Sequence, residues 1–444
     1  MALAALSLLW SHTLTYDPWS WLLWGREIIH GTLSTAGGGT SWKPLPVIVD
    51  TVLAPFGGAA PDLWLILART GALMALVLAF WLGQRVAGAL AGGLAVAWIV
   101  LGSHVGFAFG WYGFYAAGWS EGMLTAFALA AFAAHLGGRP RGVLLAWFAV
   151  ALIRPEAAAF IVLYAALTGR RDRALWVWAA GLVIAAAVLW IAPDYLGSGH
   201  LLAGSSRALD EVPPSIRHSN DPGLRDVALM RDLIALPVLA GVVAALLLAR
   251  DQTRRLVAVM LGVAVGWLAV IAIMTQAGYP GVPRFFFAPI AVLCVVAGIG
   301  WGDLSRRVPG RVPRLAVGAL IVAVNVVFLA GHLGDLRHQR QAAVYEASLN
   351  GELGTAVQRL GGAGSIRRCG AVATTPLEVP VLKWDLGLGA RVADRAVATG
   401  TVFQATVFAQ HVRLPRLHHD DGLRLALAFG RWRVYQRCRP RSVL

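Results

Sequence analysis

Long apolar segments separated by short polar loops dominate the first three quarters of the chain. The runs that are candidate membrane spans lie at residues 2–16, 62–83, 87–105, 121–137, 174–193, 232–249, 256–275, 285–303 and 315–332. A helix needs about 20 apolar residues to cross the hydrocarbon core of a bilayer. These runs therefore predict transmembrane helices, and residues 2–16 are predicted to form a short first span that is retained in the mature protein.

Two shorter apolar runs, 142–153 and 157–168, flank the tripeptide Arg154-Pro155-Glu156. Together they are too short for two full crossings at about 20 residues each. They predict a hairpin of two short helices with the tripeptide at its tip, near the outer surface. With this hairpin counted as two, the sequence predicts an all-α polytopic membrane protein of about 11 membrane segments.

The arginines predict the orientation of these segments. Five short loops are basic and alternate with loops that are not; they hold Arg85, Arg139, Arg141, Arg170, Arg171, Arg173, Arg250, Arg254, Arg255, Arg306, Arg307, Arg311 and Arg314. Short loops rich in arginine stay in the cytoplasm. We therefore expect a multi-pass protein of the plasma (inner) membrane, with the remaining loops and the C-terminal region outside the cytoplasm.

Composition supports this class and removes others. Of the 444 residues, 58% are apolar and 14% are charged, whereas soluble domains have about 45–50% and 25%. A soluble enzyme and a disordered chain are excluded. The net charge of +15 would suggest nucleic acid in a soluble protein, but the basic loops account for much of it, and no nucleic-acid partner is expected.

Residues 333–444 contain no apolar run long enough to span a bilayer, and they predict a separate exterior α/β domain after a transmembrane domain at 1–332. Helical patterns at 338–360 and 376–386 and short strand patterns at 370–374, 401–408 and 431–437 suggest a small mixed unit. Two cysteines, Cys369 and Cys438, lie beside its first and last strands. Outside the cytoplasm such a pair predicts a disulfide, although two free buried thiols remain the alternative.

The first exterior loop carries the strongest candidate for chemistry. Asp17 stands before Pro18 at the start of a short amphipathic pattern that ends at Gly31. Asp and Pro at these positions are typical of a helix N-cap and first helical residue, so one interpretation of Asp17 is structural. The other is a carboxylate that faces a cavity at membrane level and acts as a general base toward a hydroxyl group. The two interpretations do not exclude each other.

Further candidates follow in the loops on the same side. Lys43, beside Trp42, is a point charge suited to phosphate or a lysine that snorkels to the interface. Arg284 precedes a late span and fits a bidentate grip on phosphate, and Arg154 is an intramembrane cation of the kind that is functional by default. These residues, together with His104 and Glu156, are the predicted substrate-binding set. Mutual neutralisation of Arg154 and Glu156 remains the alternative for that pair.

A metal site is not expected. The loop at 194–231 contains several aspartates and histidines but no tight ligand spacing, and His418-His419-Asp420-Asp421 is more typical of a solvated turn.

Together these features resemble the GT-C glycosyltransferase superfamily. The resemblance covers the whole architecture and rests on Asp17 after the first span, the amphipathic segment from Pro18 to His30, the broken helices at 142–168, Arg284 before a late span, and a C-terminal exterior domain. Within the superfamily the chain resembles mannosyl- and arabinosyltransferases. The paired acidic residues of several members are absent because Pro18 follows Asp17 directly, which leaves Glu27 or Glu121 as a second acid.

The resemblance implies that a sugar moves from a polyprenyl-phosphate donor to an envelope glycan, lipid or protein on the outer face of the membrane. Asp17 would be the base, and Lys43 and Arg284, with Arg154, would hold the phosphate. The implied reaction is a single inverting displacement that needs no metal and no cofactor besides the lipid-linked donor. The exterior domain would bind or orient a polymeric acceptor.

Two other classes remain open. A lipid or polysaccharide transporter would show broken helices in both halves of the chain, whereas the sequence has a broken segment only in the first half. A non-enzymatic envelope-assembly protein would use Asp17 as a cap alone.

Overall fold

The computed structural model describes residues 1–36, 40–102, 110–169, 172–201, 203–210, 221–394, 397, 399–405 and 422–438. Most of the described chain is helical, and a small sheet lies near the C-terminus. The helices, in chain order, are α1 (Ala2–Leu6), α2 (Tyr16–Ile29), α3 (Pro44–Leu53), α4 (Ala60–Ala87), α5 (Ala89–Ala97), α6 (Trp111–Ala116), α7 (Glu121–Leu136), α8 (Pro140–Ala151), α9 (Ala158–Thr168), α10 (Arg173–Ser198), α11 (Ala203–Asp210), α12 (Pro222–Leu233), α13 (Leu236–Leu248), α14 (Asp251–Gln276), α15 (Phe287–Arg306), α16 (Arg311–Ala330), α17 (Leu333–Arg359), α18 (Gly362–Cys369) and α19 (Val379–Leu386). The strands are β1 (Ala371–Ala373), β2 (Val392–Ala393), β3 (Gly400–Ala405), β4 (Arg424–Phe429) and β5 (Trp432–Arg437).

Five helical segments of the described chain are long and apolar enough to cross a membrane: Pro44–Ala87, Arg173–Ser198, Thr253–Gln276, Pro283–Arg306 and Arg311–Ala330. Five shorter apolar helices of 10–17 residues accompany them. These segments are those of a membrane-embedded helical protein. The figure of about 11 membrane segments stays a prediction.

The beginning of the chain differs from the prediction. Residues 2–16 do not form one continuous helix, because α1 ends at Leu6 and is followed only by a 3-10 turn, Ser7–Leu9, and extended chain. Leu3, Leu9 and Trp10 are exposed on this segment. Hydropathy alone does not distinguish a spanning helix from an apolar segment that lies against other helices.

The predicted break between two short helices at residues 142–168 is present, whereas the position of its tip near the outer surface stays a prediction. Helix α8 ends at Ala151, and α9 begins after a 3-10 turn at Pro155–Ala157. Proline cannot continue the preceding helix, and it restricts the residue before it to extended conformations. Arg154 is accordingly extended at this break, and its side chain is buried.

Helix α15 lies at the centre of the helical bundle, and nearly all of its residues are buried. Its glycines allow this burial: a Cβ added at Gly298, Gly300 or Gly302 would overlap the backbone of Ala91, Gly241 or Ala87. Small residues that permit close helix contact are typical of membrane helix packing. A 3-10 turn, Pro283–Phe286, leads directly into the first residue of this helix.

Helices α17–α19 and the five strands form what we call the C-terminal unit, which has a hydrophobic core of its own around Leu349, Leu353, Phe403 and Trp432. The sheet order is β2-β1-β3-β5-β4. Strand β1 is parallel to β2 and β3, whereas β3, β5 and β4 run antiparallel, with Val402 opposite Tyr435. The α/β character of this region agrees with the sequence prediction, although β2 and β4 were not expected.

The C-terminal unit lies directly on the helical part of the chain. In α17, the Gln339 side chain accepts a hydrogen bond from the Gly113 amide of α6 at 3.0 Å, and Asn350 Nδ2 donates to Thr13 Oγ1 at 2.8 Å. Helix α19 packs on α2, where the rings of Trp19 and Trp384 lie 5.7 Å apart. The unit therefore covers the beginning of α2.

Candidate active site

Asp17 lies in the first turn of α2 and is 4% exposed. The helix begins at Tyr16, its N-cap is Thr15, and no side chain caps it. The expectation that Asp17 is the N-cap and Pro18 the first helical residue is therefore wrong by two positions. Because no capping hydrogen bond uses the Asp17 carboxylate, the cap does not account for this buried charge.

The nearest partner of Asp17 is Arg284, which is distant from it in the sequence. Arg284 Nη1 donates a 2.6 Å hydrogen bond to Asp17 Oδ2. Arg284 belongs to the 3-10 turn ahead of α15, so the most deeply buried helix of the protein fixes its position. Its guanidinium group also lies 4.6 Å from the centre of the Trp119 ring, within the range of a cation–π contact.

Lys43 occupies the middle of the site and is 2% exposed. It stands in extended conformation before Pro44, as residues ahead of proline do, and so it precedes α3 with its side chain directed into the site. Its Nζ donates to Ser120 Oγ at 3.1 Å and lies 4.0 Å from Asp17 Oδ2 and 3.8 Å from Glu121 Oε1. Lys43 is thus a buried cation between two acids, which argues against snorkelling to the interface.

Glu121 is the second acid of the site. It is fully buried at the first position of α7, and Arg154 Nη2 donates to its Oε1 at 3.2 Å. The ring of Phe285 lies 3.7 Å beneath the Arg154 guanidinium group. Glu121 therefore bridges Lys43 and Arg154.

Local backbone features bring these side chains together. Gly118 has φ +72°, a conformation that favours glycine, and the turn it makes leads into α7. A Cβ at Gly122 would lie 2.7 Å from Ala72 Cβ, so α7 packs closely on α4. A Cβ at Gly25 would lie 2.5 Å from the Asp50 carbonyl carbon, so α2 packs equally closely on α3. Both contacts bring the starts of α2, α3 and α7 to one place.

The five charged side chains of this site, which we call the charge cluster, are Asp17, Lys43, Glu121, Arg154 and Arg284. Within these five side chains three cations face two acids, and a further acid, Glu156, acts on Arg154 from close by. A buried net charge is costly unless it is paired. The three cations of the cluster are the groups of the site that can bind an anion.

The surroundings also shift the proton affinities of the two central groups. Burial raises the pKa of Asp17, but the charges of Arg284 and Lys43 lower it by more, so the net pKa lies below its usual range. Burial lowers the pKa of Lys43 to about 8, against the opposing effect of Glu121. At neutral pH Asp17 is therefore a carboxylate and Lys43 is still mostly cationic.

A mostly apolar cavity of about 470 Å³ adjoins this cluster. Its charged lining residues are Lys43, Arg154, Glu156 and Asp194, whereas Asp17 and Arg284 pair with each other beside Lys43 and do not line it. Its apolar walls come from α10, α14 and the turn before α15, and they include Val183, Ala186, Ala187, Ile191, Ile271, Met274 and Phe285. An anionic head with a long apolar tail matches a cavity of this composition.

The other predicted substrate-binding residues lie as follows. Trp42 lines the cavity, and its Nε1 donates to the Leu189 carbonyl oxygen at 3.1 Å. Glu156 also lines it and accepts from Trp267 Nε1 at 3.4 Å. His104 lies outside the described residues. Glu27, the other possible second acid, is at the far end of α2, where it accepts from the Ser34 amide.

Sequence reasoning missed Ser120 and the aromatic contacts of the two arginines. A signal for Glu121 was present, because an acid at the start of an apolar span is unusual, and Ser120 precedes it directly.

Across the described part of the chain, no three His, Cys, Asp or Glu side chains are grouped in a way that could hold a metal ion. The expectation of a reaction without metal stays a proposal.

The fold is similar to solved structures of two proteins. ArnT from Cupriavidus metallidurans in the apo state has 14% sequence identity, with 98% of this chain and 96% of that chain covered and a TM-score of 0.56. The same protein bound to undecaprenyl phosphate has 11% identity, the same coverage and a TM-score of 0.57. The oligosaccharyltransferase of Archaeoglobus fulgidus in the apo form has 12% identity, covers 87% of this chain and 63% of that one, and has a TM-score of 0.50.

No protein-family model matches the chain, and no curated protein sequence matches it. At such low identities the similarity establishes the fold alone. The chain therefore shares its fold with these two proteins and is a membrane-embedded helical protein, as the sequence resemblance implied.

Proposed function

We propose that the protein is a glycosyltransferase that moves a sugar from a polyprenyl-phosphate donor to an acceptor hydroxyl group. One observation carries the proposal: two buried cations, Lys43 and Arg154, line a mostly apolar cavity, and the buried carboxylate of Asp17 lies beside Lys43. Neither a structural ion pair nor an N-cap needs such an arrangement. A lipid carrying a single phosphodiester charge matches both parts of it.

The cavity supports a specific orientation of the donor. The first isoprene units lie along the walls of α10 and α14, and the phosphate reaches Lys43 and Arg154, the two cations that line the cavity. Charge-assisted hydrogen bonds from these cations to phosphate oxygens are stronger than neutral ones. Cavity burial contributes roughly 0.8 kcal/mol for each CH₂ group removed from water. Trp42 and Glu156 line the same cavity and face the sugar, whose hydroxyl groups can donate to the Glu156 carboxylate.

The chemistry then follows from the positions of the acid and the cations. Asp17 accepts the proton of the acceptor hydroxyl as its oxygen forms a bond to the anomeric carbon of the donor sugar. The bond from that carbon to the phosphate oxygen breaks, and the electron pair leaves with the polyprenyl phosphate. Lys43 and Arg154 stabilise the charge that develops on the phosphate. A single displacement of this kind inverts the configuration at the anomeric carbon, and in this proposal side chains alone supply the cations.

Arg284 has a different part in this proposal from the one expected of it. Because Arg284 holds Asp17 at 2.6 Å and does not line the cavity, its main effect is on the carboxylate. It keeps Asp17 ionised and fixes its direction. Its contact with the donor phosphate is secondary.

The setting of the reaction completes the proposal. The arginine-rich short loops favour an orientation in which α2 and the C-terminal unit are outside the cytoplasm, in the plasma (inner) membrane. The acceptor is then an envelope glycan, lipid or protein. The similarity to ArnT bound to undecaprenyl phosphate supports a polyprenyl-phosphate donor. Mannose and arabinose are the sugars that the sequence resemblance favours. Nothing in the described helices favours a transporter.

The proposal is tested with the purified full-length protein in lipid nanodiscs. Native mass spectrometry should detect bound undecaprenyl phosphate, and polyprenyl-phosphate mannose or arabinose should serve as donor in a transfer assay with envelope material as acceptor. Lys43→Met should weaken lipid binding, whereas Lys383→Met should not. A protein that binds no polyprenyl phosphate would contradict the proposal.

A further inference from the structure

One short stretch of chain contacts all three cations of the charge cluster. It consists of residues 119–121, and we call it the contact tripeptide. The centre of its tryptophan ring lies 4.6 Å from the guanidinium carbon of Arg284, its serine hydroxyl accepts a hydrogen bond from Lys43 at 3.1 Å, and its glutamate accepts one from Arg154 at 3.2 Å. The backbone position of these three residues therefore influences how the three cations are arranged.

The four residues before the contact tripeptide, 115–118, are held by their backbone carbonyl groups. Arg69 donates from Nε to the first carbonyl oxygen and from Nη2 to the second, both at 3.2 Å. The third accepts from the amide of Thr15 at 3.4 Å, and the fourth accepts from Trp64 Nε1 at 2.9 Å. All four carbonyl oxygens thus accept a hydrogen bond from another part of the chain, and we call these residues the clamped segment.

Two of the three donors come from one helix. Arg69 and Trp64 belong to α4, on which α7 packs closely through Gly122. Arg69 is 3% exposed, and its Nη1 donates to Ser7 Oγ at 2.7 Å. Among the described residues, no carboxylate lies within ion-pair distance of Arg69. A charged residue inside an apolar helix is costly, and this one is used to hold backbone carbonyl groups.

The clamped segment is also connected to the proposed base. Thr15, the donor to its third carbonyl oxygen, is the N-cap of α2, and Asp17 follows two residues later. The same four residues are therefore linked to Asp17 through Thr15 and to the cations through the contact tripeptide. A displacement of the clamped segment would change the spacing between Asp17 and Lys43, which is 4.0 Å.

We infer that Arg69 and Trp64 are positioning residues for the proposed reaction, and that they hold the contact tripeptide against Lys43 and Arg154. The inference rests on the proposed function and adds two residues to it. Neither Arg69 nor Trp64 lines the cavity, so both act through the backbone of the clamped segment. Arginine suits position 69 because its fork reaches two adjacent carbonyl oxygens, and lysine cannot reproduce that fork.

Displacement of the contact tripeptide has a specific consequence for Lys43. Burial lowers the pKa of Lys43 to about 8, and Glu121 opposes that effect. The other charges that act on Lys43 are Arg154 and Arg284, which lower its pKa, and Asp17, which raises it. When Glu121 moves away, the pKa of Lys43 falls further, and the side chain loses its charge at a lower pH. A uniform loss of folded protein would not change this pKa.

The test measures the affinity of the full-length protein in lipid nanodiscs for undecaprenyl phosphate as a function of pH. Lys43 lines the cavity, so binding to the wild type should weaken as Lys43 loses its proton at about pH 8. Arg69→Lys keeps the charge and loses the fork, and its binding should weaken at a pH that is lower by roughly half a unit or more. Trp64→Phe loses one donor and should shift the same way by less. The lipid phosphate ionises alike in every variant, so a difference between variants reports on the protein.

Two control variants change the same kinds of hydrogen bond elsewhere. Trp301→Phe removes the donor to the Pro237 carbonyl oxygen, and Arg306→Lys changes the donor to the Val86 carbonyl oxygen. Trp301 and Arg306 lie near the end of α15, whereas the site adjoins its beginning. Both variants should bind undecaprenyl phosphate with the pH dependence of the wild type.

The pattern across the variants decides the inference. The wild-type pH dependence in both Arg69→Lys and Trp64→Phe would overturn it, as would weaker binding at every pH without a shift, or an equal shift in the controls. A shift in Arg69→Met that is absent in Arg69→Lys would show that the charge of Arg69 acts and not its fork, which also contradicts it. If Arg69→Lys does not fold, Trp64→Phe decides alone. A wild type that binds no undecaprenyl phosphate would contradict the proposed function itself, and the inference with it.

Discussion

Arg284 and Asp17 are 267 residues apart in the sequence, and their side chains form the shortest ion pair of the charge cluster, at 2.6 Å. The pair joins the turn before the buried helix α15 to the first turn of α2. Arg284 therefore differs in role from the two cations of the cavity. Lys43 and Arg154 face the proposed donor site, whereas Arg284 faces the Asp17 carboxylate.

Removing Arg284 should therefore change the pH dependence of the reaction more than donor affinity. Arg284 lowers the pKa of Asp17, so in Arg284→Gln the pKa rises and the carboxylate becomes protonated at higher pH. The acidic limb of the kcat/KM profile should shift upward, while undecaprenyl phosphate still binds. A profile that superimposes on the wild type would show that Arg284 does not control the base.

Lys43 can be tested against a natural control, because the chain has only one other lysine, Lys383. Lys43→Met removes a cation that lines the cavity and should weaken undecaprenyl-phosphate binding by about 1.5–3 kcal/mol, the value for a charge-assisted hydrogen bond. Lys383→Met lies on α19 and should bind lipid normally. The measurement is lipid titration by native mass spectrometry, and equal affinity of both variants would remove Lys43 from the donor site.

We also expect the fall in activity at high pH to result from deprotonation of Lys43. Its pKa is lowered to about 8, so the side chain is cationic below that pH and loses its charge as the pH rises through it. The kcat/KM for the donor reports the free enzyme and should fall between about pH 7 and 9. Lys43→Arg keeps its charge at all these values and should lose this limb, whatever its activity. An unchanged basic limb in Lys43→Arg would assign the limb to another group.

The structure joins Cys369 to Cys438 in a disulfide that connects the end of α18 to the end of β5. A cross-link across 69 residues of sequence stabilises a domain by about 2–5 kcal/mol. The double variant Cys369→Ser/Cys438→Ser should therefore lower the melting temperature of the C-terminal unit. Intact protein should be lighter than reduced protein by two hydrogen atoms, and two alkylatable thiols without reductant would exclude the bridge. Cys294, buried in α15, is the control thiol.

The sequence predicted the architecture better than the local boundaries. Hydropathy predicts the membrane character, and proline predicts the helix break at Arg154. The spacing of apolar residues predicts the mixed C-terminal unit. All three are local features of the sequence. The start of α2 was misplaced because Asp-Pro is a common capping pattern, whereas the structure gives Thr15 that position and uses Asp17 for an ion pair. Strands β2 and β4 were missed because β2 is only two residues long and β4 alternates weakly.

The sequence identified most of the residues of the candidate site, but it did not predict which of them form pairs. Asp17, Lys43, Arg154 and Arg284 were recognised from their unusual placement near apolar spans. Their pairing depends on which helix starts meet in space, and that is decided by close contacts such as Gly122 on α4. For this reason the sequence assigned Arg284 to the phosphate, and the role of Glu121 as a bridge between Lys43 and Arg154 could not be foreseen.

The most direct test of the proposed mechanism is Asp17→Asn, measured for lipid binding and for sugar transfer in the same preparation. Asparagine fills the same space but cannot accept a proton at neutral pH. Removal of one acid leaves the charge cluster more positive, so undecaprenyl phosphate should bind at least as tightly as it does to the wild type. Transfer from polyprenyl-phosphate mannose or arabinose should fall by about 10²- to 10⁴-fold, the usual contribution of a general base. Near-normal transfer by a folded Asp17→Asn protein would contradict the assignment of Asp17 as the base.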